Sequence, residues 1–167
     1  MASSLQTAVI DNTLLSRLTG LNIAVLLPTI FEQIRVPPEI KLEAKLSPNG
    51  EKVLTLLNES NDFFIDCYEA DITNKEFLKT ILDHGEAAVI AQAEATDSVV
   101  ITDDKKAHKA AMGRSIRVFR TGKILGLLKE AGQIALVSPY LERLADMGFH
   151  LSPIDKLSIL KSVGEID

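Results

Sequence analysis

Short apolar runs alternate with helical patterns along this chain, and this alternation restricts the fold more than any other feature of the sequence. The clearest run, SVVIT at Ser98–Thr102, shows no polar alternation, which is typical of a central parallel strand buried on both faces. Strands that alternate with helices form βαβ units, whose strands are parallel. We therefore predict a three-layer α/β/α fold around a mostly parallel sheet of four to five strands.

The remaining elements follow from periodicity and from turn and capping residues. The predicted strands are Thr7–Ile10, Gln33–Val36, Phe63–Tyr68, Ser98–Thr102 and Ile116–Phe119. The predicted helices are Asn12–Leu18, a short apolar helix after Gly20 that Pro28 ends, Pro38–Lys45, Glu51–Asn58, Asn74–Leu82, Glu86–Thr96 and Asp103–Met112. From Thr121 onward the chain is predicted to be mostly helical, with a short extended piece at Phe149–Leu151. A length of 167 residues fits one domain.

The signals of several other protein classes are missing from the sequence. The first residues lack the basic stretch and apolar core of a secretory signal, and the apolar run Ile23–Phe31 falls short of the roughly 20 residues that span a bilayer. We therefore expect a cytoplasmic protein without a membrane segment. Cys67 is the only cysteine, which excludes a thiolate zinc cage. Glycine-rich phosphate loops and a GxSxG elbow are also absent, which disfavours nucleotide kinases, dinucleotide enzymes and serine hydrolases.

Five acidic residues are predicted to meet at one edge of the sheet. Asp11 follows the first strand, and Asp103 and Asp104 follow SVVIT, so all three are expected at the carboxyl edge, where open α/β sheets bind ligands. Glu86 begins the helix before SVVIT and therefore starts at the same edge, and Glu43 lies on a helix that leaves it. Because crowded carboxylates repel one another, a bound divalent cation is their natural compensation. Oxygen ligands favour Mg²⁺ or Mn²⁺.

Each acidic residue also has an ordinary structural interpretation. Asp11 and Asp103 are both placed to cap the helices that follow them, and the helix dipole favours Glu86 in a first turn. Glu43 resembles many surface glutamates on helices. Capping is the simpler explanation for Asp11 and Asp103 taken singly, and the functional interpretation rests on the convergence of all the acidic residues.

Hydroxyl and basic residues surround the acidic positions in the sequence. Thr13 and Thr102 place hydroxyls near the cluster, although helix-start chemistry and strand filling explain them equally well. Seven of the 18 basic residues lie in one stretch that contains no acidic residue, in a chain with a net charge of -5. They are Lys105, Lys106, Lys109, Arg114, Arg117, Arg120 and Lys123. Such a strip is either a solvated helix face or a local contact for a polyanion. The three histidines show no metal-ligand spacing and are interpreted as surface residues.

Four motifs in this order resemble the PIN-domain family. AVIDNTLLSRL is similar to the opening strand and helix, IRVPPEIKLEA to the proline pair and acidic helix, HGEAAVIAQA to the Gly-Glu helix start, and SVVITDDKKAHKAA to the strand that ends in an acidic T-x-D pattern. The matching positions are Asp11, Thr13, Glu43, Glu86, Thr102, Asp103 and Asp104. The opening DNT differs from the commoner aspartate, small residue, serine form. The segments RTGKILGLLKEAGQI and PYLERLADMGFHLSP resemble the extension of a PIN-like subgroup, which implies one domain over 1–167 with a core at 5–130 and C-terminal helices at 131–165.

The resemblance implies a Mg²⁺- or Mn²⁺-dependent ribonuclease, often the toxin of a toxin and antitoxin pair, and a homodimer. Under it Asp11, Glu86 and Asp104 hold metal, with Asp103 as the alternative to Asp104 for the principal ligand. Glu43 and Asp103 ligate or orient water, and the RNA is contacted by Thr13, Thr102, Lys105, Lys106 and Lys109. The alternative from another class is a catalytically silent binding module with the same pocket, although all the acidic positions of the motif are present. A phosphatase or receiver domain is disfavoured, because its aspartate pair is expected after the first strand and here it follows the fourth.

Overall fold

Five strands form one sheet in which all four neighbouring pairs are parallel. The strands are β1 (Gln6–Ile10), β2 (Phe31–Val36), β3 (Phe64–Asp66), β4 (Val99–Ile101) and β5 (Val118–Phe119). The spatial order is β3-β2-β1-β4-β5, and helices flank the sheet to give the three-layer α/β/α fold. This computed structural model describes residues 5–67 and 72–167. The predicted fold class is confirmed.

Nine α-helices lie within the described residues, together with one 3₁₀ helix at Ala24–Thr29. They are α1 (Asn12–Gly20), α2 (Pro38–Lys45), α3 (Gly50–Glu59), α4 (Ile72–Leu78), α5 (His84–Thr96), α6 (Lys105–Gly113), α7 (Thr121–Glu130), α8 (Ser138–Asp146) and α9 (Pro153–Ser162). Among the described residues, no helix is long and apolar enough to cross a membrane.

The core lies along β1, β4 and α5. Val9, Val100 and Ile10 are completely buried, as the apolar run SVVIT predicts for a strand covered on both faces. Helix α5 is buried around nearly its whole circumference from Gly85 to Ala93, and its alanines let it pack closely against β1 and β4. Its N-terminal end is therefore held firmly beside the carboxyl edge of the sheet.

The strand order creates a switch point between β1 and β4. From β1 the chain crosses to β2 and β3 on one side, whereas β4 and β5 lie on the other side. Ligands of open α/β sheets bind in the crevice at the carboxyl ends of the two strands that flank such a point. Asp11 directly follows β1, and Asp103 and Asp104 follow β4.

Several predicted boundaries are corrected by the structure. The apolar helix after Gly20 is a 3₁₀ helix that contains Pro28 instead of stopping before it. The helix predicted at Asn74–Leu82 ends at Leu78, and turns follow it. No strand forms at Phe149–Leu151, which connects α8 to α9 after Gly148 adopts a left-handed φ of 91°. The third strand is shorter than predicted, and its predicted end at Tyr68 lies outside the described residues.

Helix α9 packs onto α7 through two glycines one helical turn apart. A methyl group on Gly122 would lie 2.7 Å from Ile159 Cδ1, and one on Gly126 would lie 3.3 Å from Val163 Cγ1. Glu165 then accepts hydrogen bonds from the backbone nitrogens at the start of α8, at 2.7 and 3.0 Å. The last helix is therefore fixed to the rest of the molecule.

Candidate active site

A cleft of about 740 Å³ opens at the switch point between β1 and β4. It is lined by all five acidic residues nominated from the sequence, Asp11, Glu43, Glu86, Asp103 and Asp104, and by Thr13, Lys105 and Lys106. Lys109 lies outside this lining. The ends of β1 and β4, the start of α5 and helix α2 are distant in sequence, and together they bring these carboxylates to one cleft.

Asp11 is the most buried carboxylate of the cleft, with 9% of its surface exposed. Its Oδ1 caps α1 by accepting a hydrogen bond from the Leu14 backbone nitrogen at 2.8 Å. Burial raises the pKa of Asp11 to about 6, and the nearby Asp103 charge adds to this effect, although hydrogen bonds from Thr102 and Leu14 oppose it. A carboxylate in this position is a helix cap that also keeps unbalanced negative charge facing the cleft.

Thr102 connects the two strand ends. Its hydroxyl, which is completely buried, donates a hydrogen bond to Asp11 Oδ2 and accepts one from the Asp104 backbone nitrogen at 3.1 Å. One hydroxyl therefore fixes the separation of the residues that follow β1 and β4. We assign Thr102 a positioning role, because its burial leaves it no surface for a substrate.

Asp104 caps α6, which corrects the expectation that Asp103 does so. Asp104 Oδ1 accepts a hydrogen bond from the Ala107 backbone nitrogen at 2.8 Å, and the helix begins at Lys105. The pair DD leaves the cap ambiguous in sequence, because either aspartate precedes a helical pattern. Asp104 is the residue that caps the helix, because the side chain of Asp103 is hydrogen-bonded to Thr121.

Asp103 is held by α1 and by the start of α7. Its Oδ1 accepts a hydrogen bond from the Thr121 backbone nitrogen at 3.0 Å, and its Oδ2 accepts one from the Thr121 hydroxyl. Arg17 Nη1 lies 3.3 Å from the same Oδ2, and the Arg17 guanidinium lies 3.8 Å from the centre of the Phe149 ring. These contacts tie the C-terminal segment to the floor of the cleft.

Glu86 is part of a reciprocal cap at the start of α5. The Glu86 backbone nitrogen donates to Asp83 Oδ1 at 2.8 Å, and Glu86 Oε2 accepts from the Asp83 backbone nitrogen at 3.2 Å. Burial raises the pKa of Glu86 to about 7, and the negative charges of Asp83 and Asp104 raise it further against the opposing backbone hydrogen bond. Glu86 and Asp104 are therefore close enough to repel each other.

Glu43 reaches the cleft because residue 85 has no side chain. A methyl group on Gly85 would lie 2.0 Å from Glu43 Oε1 and 2.7 Å from Glu43 Cδ. Burial raises the pKa of Glu43, and the charges of Asp83 and Asp11 act in the same direction. Glycine at the start of α5 thus makes room for a carboxylate from α2.

The donor chemistry of the cleft suits a divalent cation. Its carboxylates are oxygen ligands, and burial, together with neighbouring negative charges, raises the pKa values of Asp11 and Glu86. Asn12 also lines the cleft, and its Oδ1 is buried without a hydrogen-bond partner. Within residues 5–67 and 72–167, however, no three histidine, cysteine, aspartate or glutamate side chains already stand in a metal-holding arrangement.

Sequence reasoning missed Arg17, Asp83, Thr121 and Phe149 at this site. Asp83 carried a local signal, since an aspartate three residues before Glu86 matches a capping box. The contacts of Arg17 with Asp103 and Phe149 join residues 86 and 132 positions apart, and no local pattern marks them.

The fold is a parallel α/β sheet with an acidic crevice at its switch point. Together these two features indicate the class of protein. The chain belongs to the PIN-domain family, because the family model DUF3368, described as a PIN domain, matches residues 7–165. Members of this family are generally nucleases that use a divalent metal. Among curated proteins, none matches the chain in sequence.

Three solved structures resemble part of the chain. VapBC2 from Rickettsia felis bound to a promoter DNA fragment has 12% identity and a TM-score of 0.49, covering 68% of this chain and 98% of that chain. FitAcB from Neisseria gonorrhoeae has 16% identity and a TM-score of 0.43, covering 67% of this chain and 96% of that chain. The PilT N-terminus domain protein SSO1118 from Sulfolobus solfataricus has 14% identity and a TM-score of 0.41, covering 75% of this chain and 92% of that chain. These values are too low to transfer a function.

Proposed function

We propose that this protein is an endoribonuclease that hydrolyses RNA phosphodiester bonds with Mg²⁺ or Mn²⁺, and that it is the toxin of a toxin and antitoxin pair. The observation that supports this proposal best is the convergence of Asp11, Glu86 and Asp104 on one cleft, where the pKa values of Asp11 and Glu86 are raised. Family membership supports the reaction class. The cognate antitoxin, the homodimer and the C-terminal helices at 131–165 belong to the same proposal and rest on the resemblance, whereas the cytoplasmic location and the single domain carry over from the sequence expectations.

Asp11, Glu86 and Asp104 would hold the metal ion in this proposal. A bound divalent cation lowers the pKa of water, orients it for in-line attack and stabilises the leaving oxygen. The caps on α1, α5 and α6 each engage one carboxylate oxygen of Asp11, Glu86 and Asp104, and all three residues line the same cleft.

Glu43 is the residue that we assign to the attacking water. It lies against Gly85, apart from the carboxylates that cap helices, and its raised pKa suits a group that takes up a proton. We assign Asp103 to positioning, because Thr121 donates two hydrogen bonds to it and the Arg17 guanidinium pairs with its charge. It positions the β4 end and the C-terminal segment. Lys105, Lys106 and Thr13 border the cleft and are assigned to the RNA backbone, with Lys109 left outside it.

The direct test measures cleavage of a labelled single-stranded RNA with Mg²⁺, Mn²⁺ or a chelator. We expect metal-dependent cleavage by the wild type and none by Asp11→Asn, which keeps the α1 cap because asparagine is also a good cap. The matched control is Asp97→Asn at the opposite end of α5, where a φ of 50° tolerates asparagine. Equal cleavage by Asp11→Asn and the wild type contradicts the assignment.

A silent binding module is the second candidate, and one observation favours it. Asp11, Asp104 and Glu86 all take part in helix caps, and the described residues contain no arranged metal cluster. The same assay separates the two candidates, since a folded wild-type protein that cuts no RNA with any metal supports the silent module.

A further inference from the structure

A second cleft continues from the acidic one toward the C-terminal helices. Its volume is about 430 Å³, and it shares Asp103, Lys105 and Phe149 with the acidic cleft. Its other walls come from the start of α7 and from the segment between α8 and α9. The two clefts therefore form one path that leads away from the carboxylates.

Three lysine or arginine side chains line this second cleft. Lys105, Arg120, Lys123 and His150 border it, and the first three are exposed. Within the described part of the chain, none of these three cations forms a salt bridge with a carboxylate. In a protein with a net charge of -5, a group of unpaired cations beside a carboxylate cluster is the feature that attracts a polyanion.

The two acidic residues of the cleft do not cancel this charge. Asp103 is neutralised by Arg17 at 3.3 Å and hydrogen-bonded to Thr121. Asp155 sits in the first turn of α9 and accepts a hydrogen bond from the Ser152 hydroxyl at 2.7 Å. Asp103 is thus paired, whereas Asp155 keeps its charge, so that one unpaired carboxylate faces three cations that form no salt bridge within residues 5–67 and 72–167.

We propose that this second cleft, lined by Lys105, Arg120, Lys123 and His150, binds the phosphate backbone of the RNA on one side of the cleavage point. The proposal rests on the proposed function and deepens it. In this proposal the C-terminal segment takes part in RNA binding, because Phe149 and His150 form one wall of the cleft. The contact of Arg17 with Phe149 fixes that wall against the acidic cleft. Lys105 stands where the two clefts meet and contacts the phosphate next to the cut.

The test uses Asp11→Asn as the background, so that binding is measured without cleavage. The Kd for a fluorescein-labelled single-stranded RNA is obtained by anisotropy at several salt concentrations in the presence of Mg²⁺. The test variant is Arg120→Glu with Lys123→Glu, and glutamate is compatible with the start of α7 because the helix dipole favours it there. The matched control is Lys52→Glu with Lys161→Glu, an equal charge change on exposed parts of α3 and α9. A milder variant, Arg120→Gln with Lys123→Gln, guards against loss of folding.

We expect the Glu pair to weaken RNA binding by about 10-fold or more, and the Gln pair to reduce the slope of log K against log salt by about 1.4, or about 0.7 for each lost phosphate contact. The control pair is expected to change Kd by less than about 2-fold. Equal Kd values for test and control pairs overturn the second cleft as a binding path, as does a background protein that binds no RNA. If the test pair weakens binding while the wild type cuts no RNA with any metal, the path stands and the nuclease assignment fails.

Discussion

The amino and carboxyl edges of the sheet differ in how their polar and charged side chains are paired. At the amino edge, Arg114 and Glu94 form an ion pair at 2.9 Å, and the hydroxyls of Thr7, Thr96 and Ser98 bond to one another at 2.8 to 2.9 Å. At the carboxyl edge, carboxylates face one another and the pKa values of Asp11 and Glu86 are raised to about 6 and about 7. One edge is satisfied within the protein, and under the proposed function a cation completes the other.

This difference separates stability from function. Groups that satisfy one another contribute to folding, whereas unbalanced carboxylates reduce stability and are a mark of functional sites. The comparison makes specific predictions for each edge.

After Asp11→Asn, the largest effect is expected from Asp104→Asn. Asparagine still caps α6 but removes one charge from the metal-holding group, so kcat/KM for RNA should fall about 10³-fold, or about 4 kcal/mol. The melting temperature should stay near that of the wild type, because the cap remains. Asp104→Ala loses both functions, and it should be inactive and also less stable. If Asp104→Asn retains full activity, Asp104 is a cap alone.

The second prediction concerns the pH dependence of stability. The pKa of Asp11 is raised to about 6 in the folded protein from an ordinary value of 3.8, so folding is favoured while Asp11 is protonated and loses this contribution as pH rises through about 6. Asp11→Asn should therefore be more stable than the wild type at pH 8, by up to about 3 kcal/mol, and the advantage should vanish near pH 4. Urea denaturation across this range measures it. An advantage that does not change with pH would point to packing as its cause.

Added Mg²⁺ should produce the complementary result. If a cation relieves the repulsion, the wild type should gain about 2.7 kcal/mol of stability at a concentration 100 times Kd. Asp11→Asn should gain little, and Asp97→Asn at the satisfied edge should respond like the wild type. Differential scanning calorimetry with and without Mg²⁺ provides the measurement.

A smaller effect is expected from Gly85→Ala. The new methyl group displaces the Glu43 carboxylate, so activity should fall about 10-fold, or about 1.4 kcal/mol. Stability should change by less than about 1 kcal/mol, because the helix propensity of alanine is offset by the displacement of Glu43. Gly113→Ala on α6 is the control, since nothing lies within 4 Å of the added methyl group. Equal activity in both variants would exclude a role for the position of Glu43.

The smallest effect belongs to the amino edge. Arg114→Ala removes a partly exposed ion pair with Glu94, which should cost about 0.2–1 kcal/mol of stability and leave RNA cleavage unchanged. A large loss of activity would show that the two edges are not independent.

Sequence patterns predict the fold and the general place of the site because both depend on local information. Apolar runs and capping residues mark β1, β4 and α5, and parallel topology then sends Asp11 and Glu86 to the same edge. The roles of Asp103 and Asp104 were not separable, since adjacent aspartates before a helix carry the same local signal. Their assignment depends on Thr121, 18 residues later. The Thr102 contact with Asp11 spans 91 positions and has no sequence signature.

The most direct test of the central claim is Mn²⁺ binding by calorimetry to the wild type, Asp11→Asn and Asp97→Asn. The account predicts heat of binding in the wild type and in Asp97→Asn, and its loss in Asp11→Asn. Equal binding by all three proteins, or no binding by the wild type, would contradict a metal centre at the carboxyl edge of the sheet.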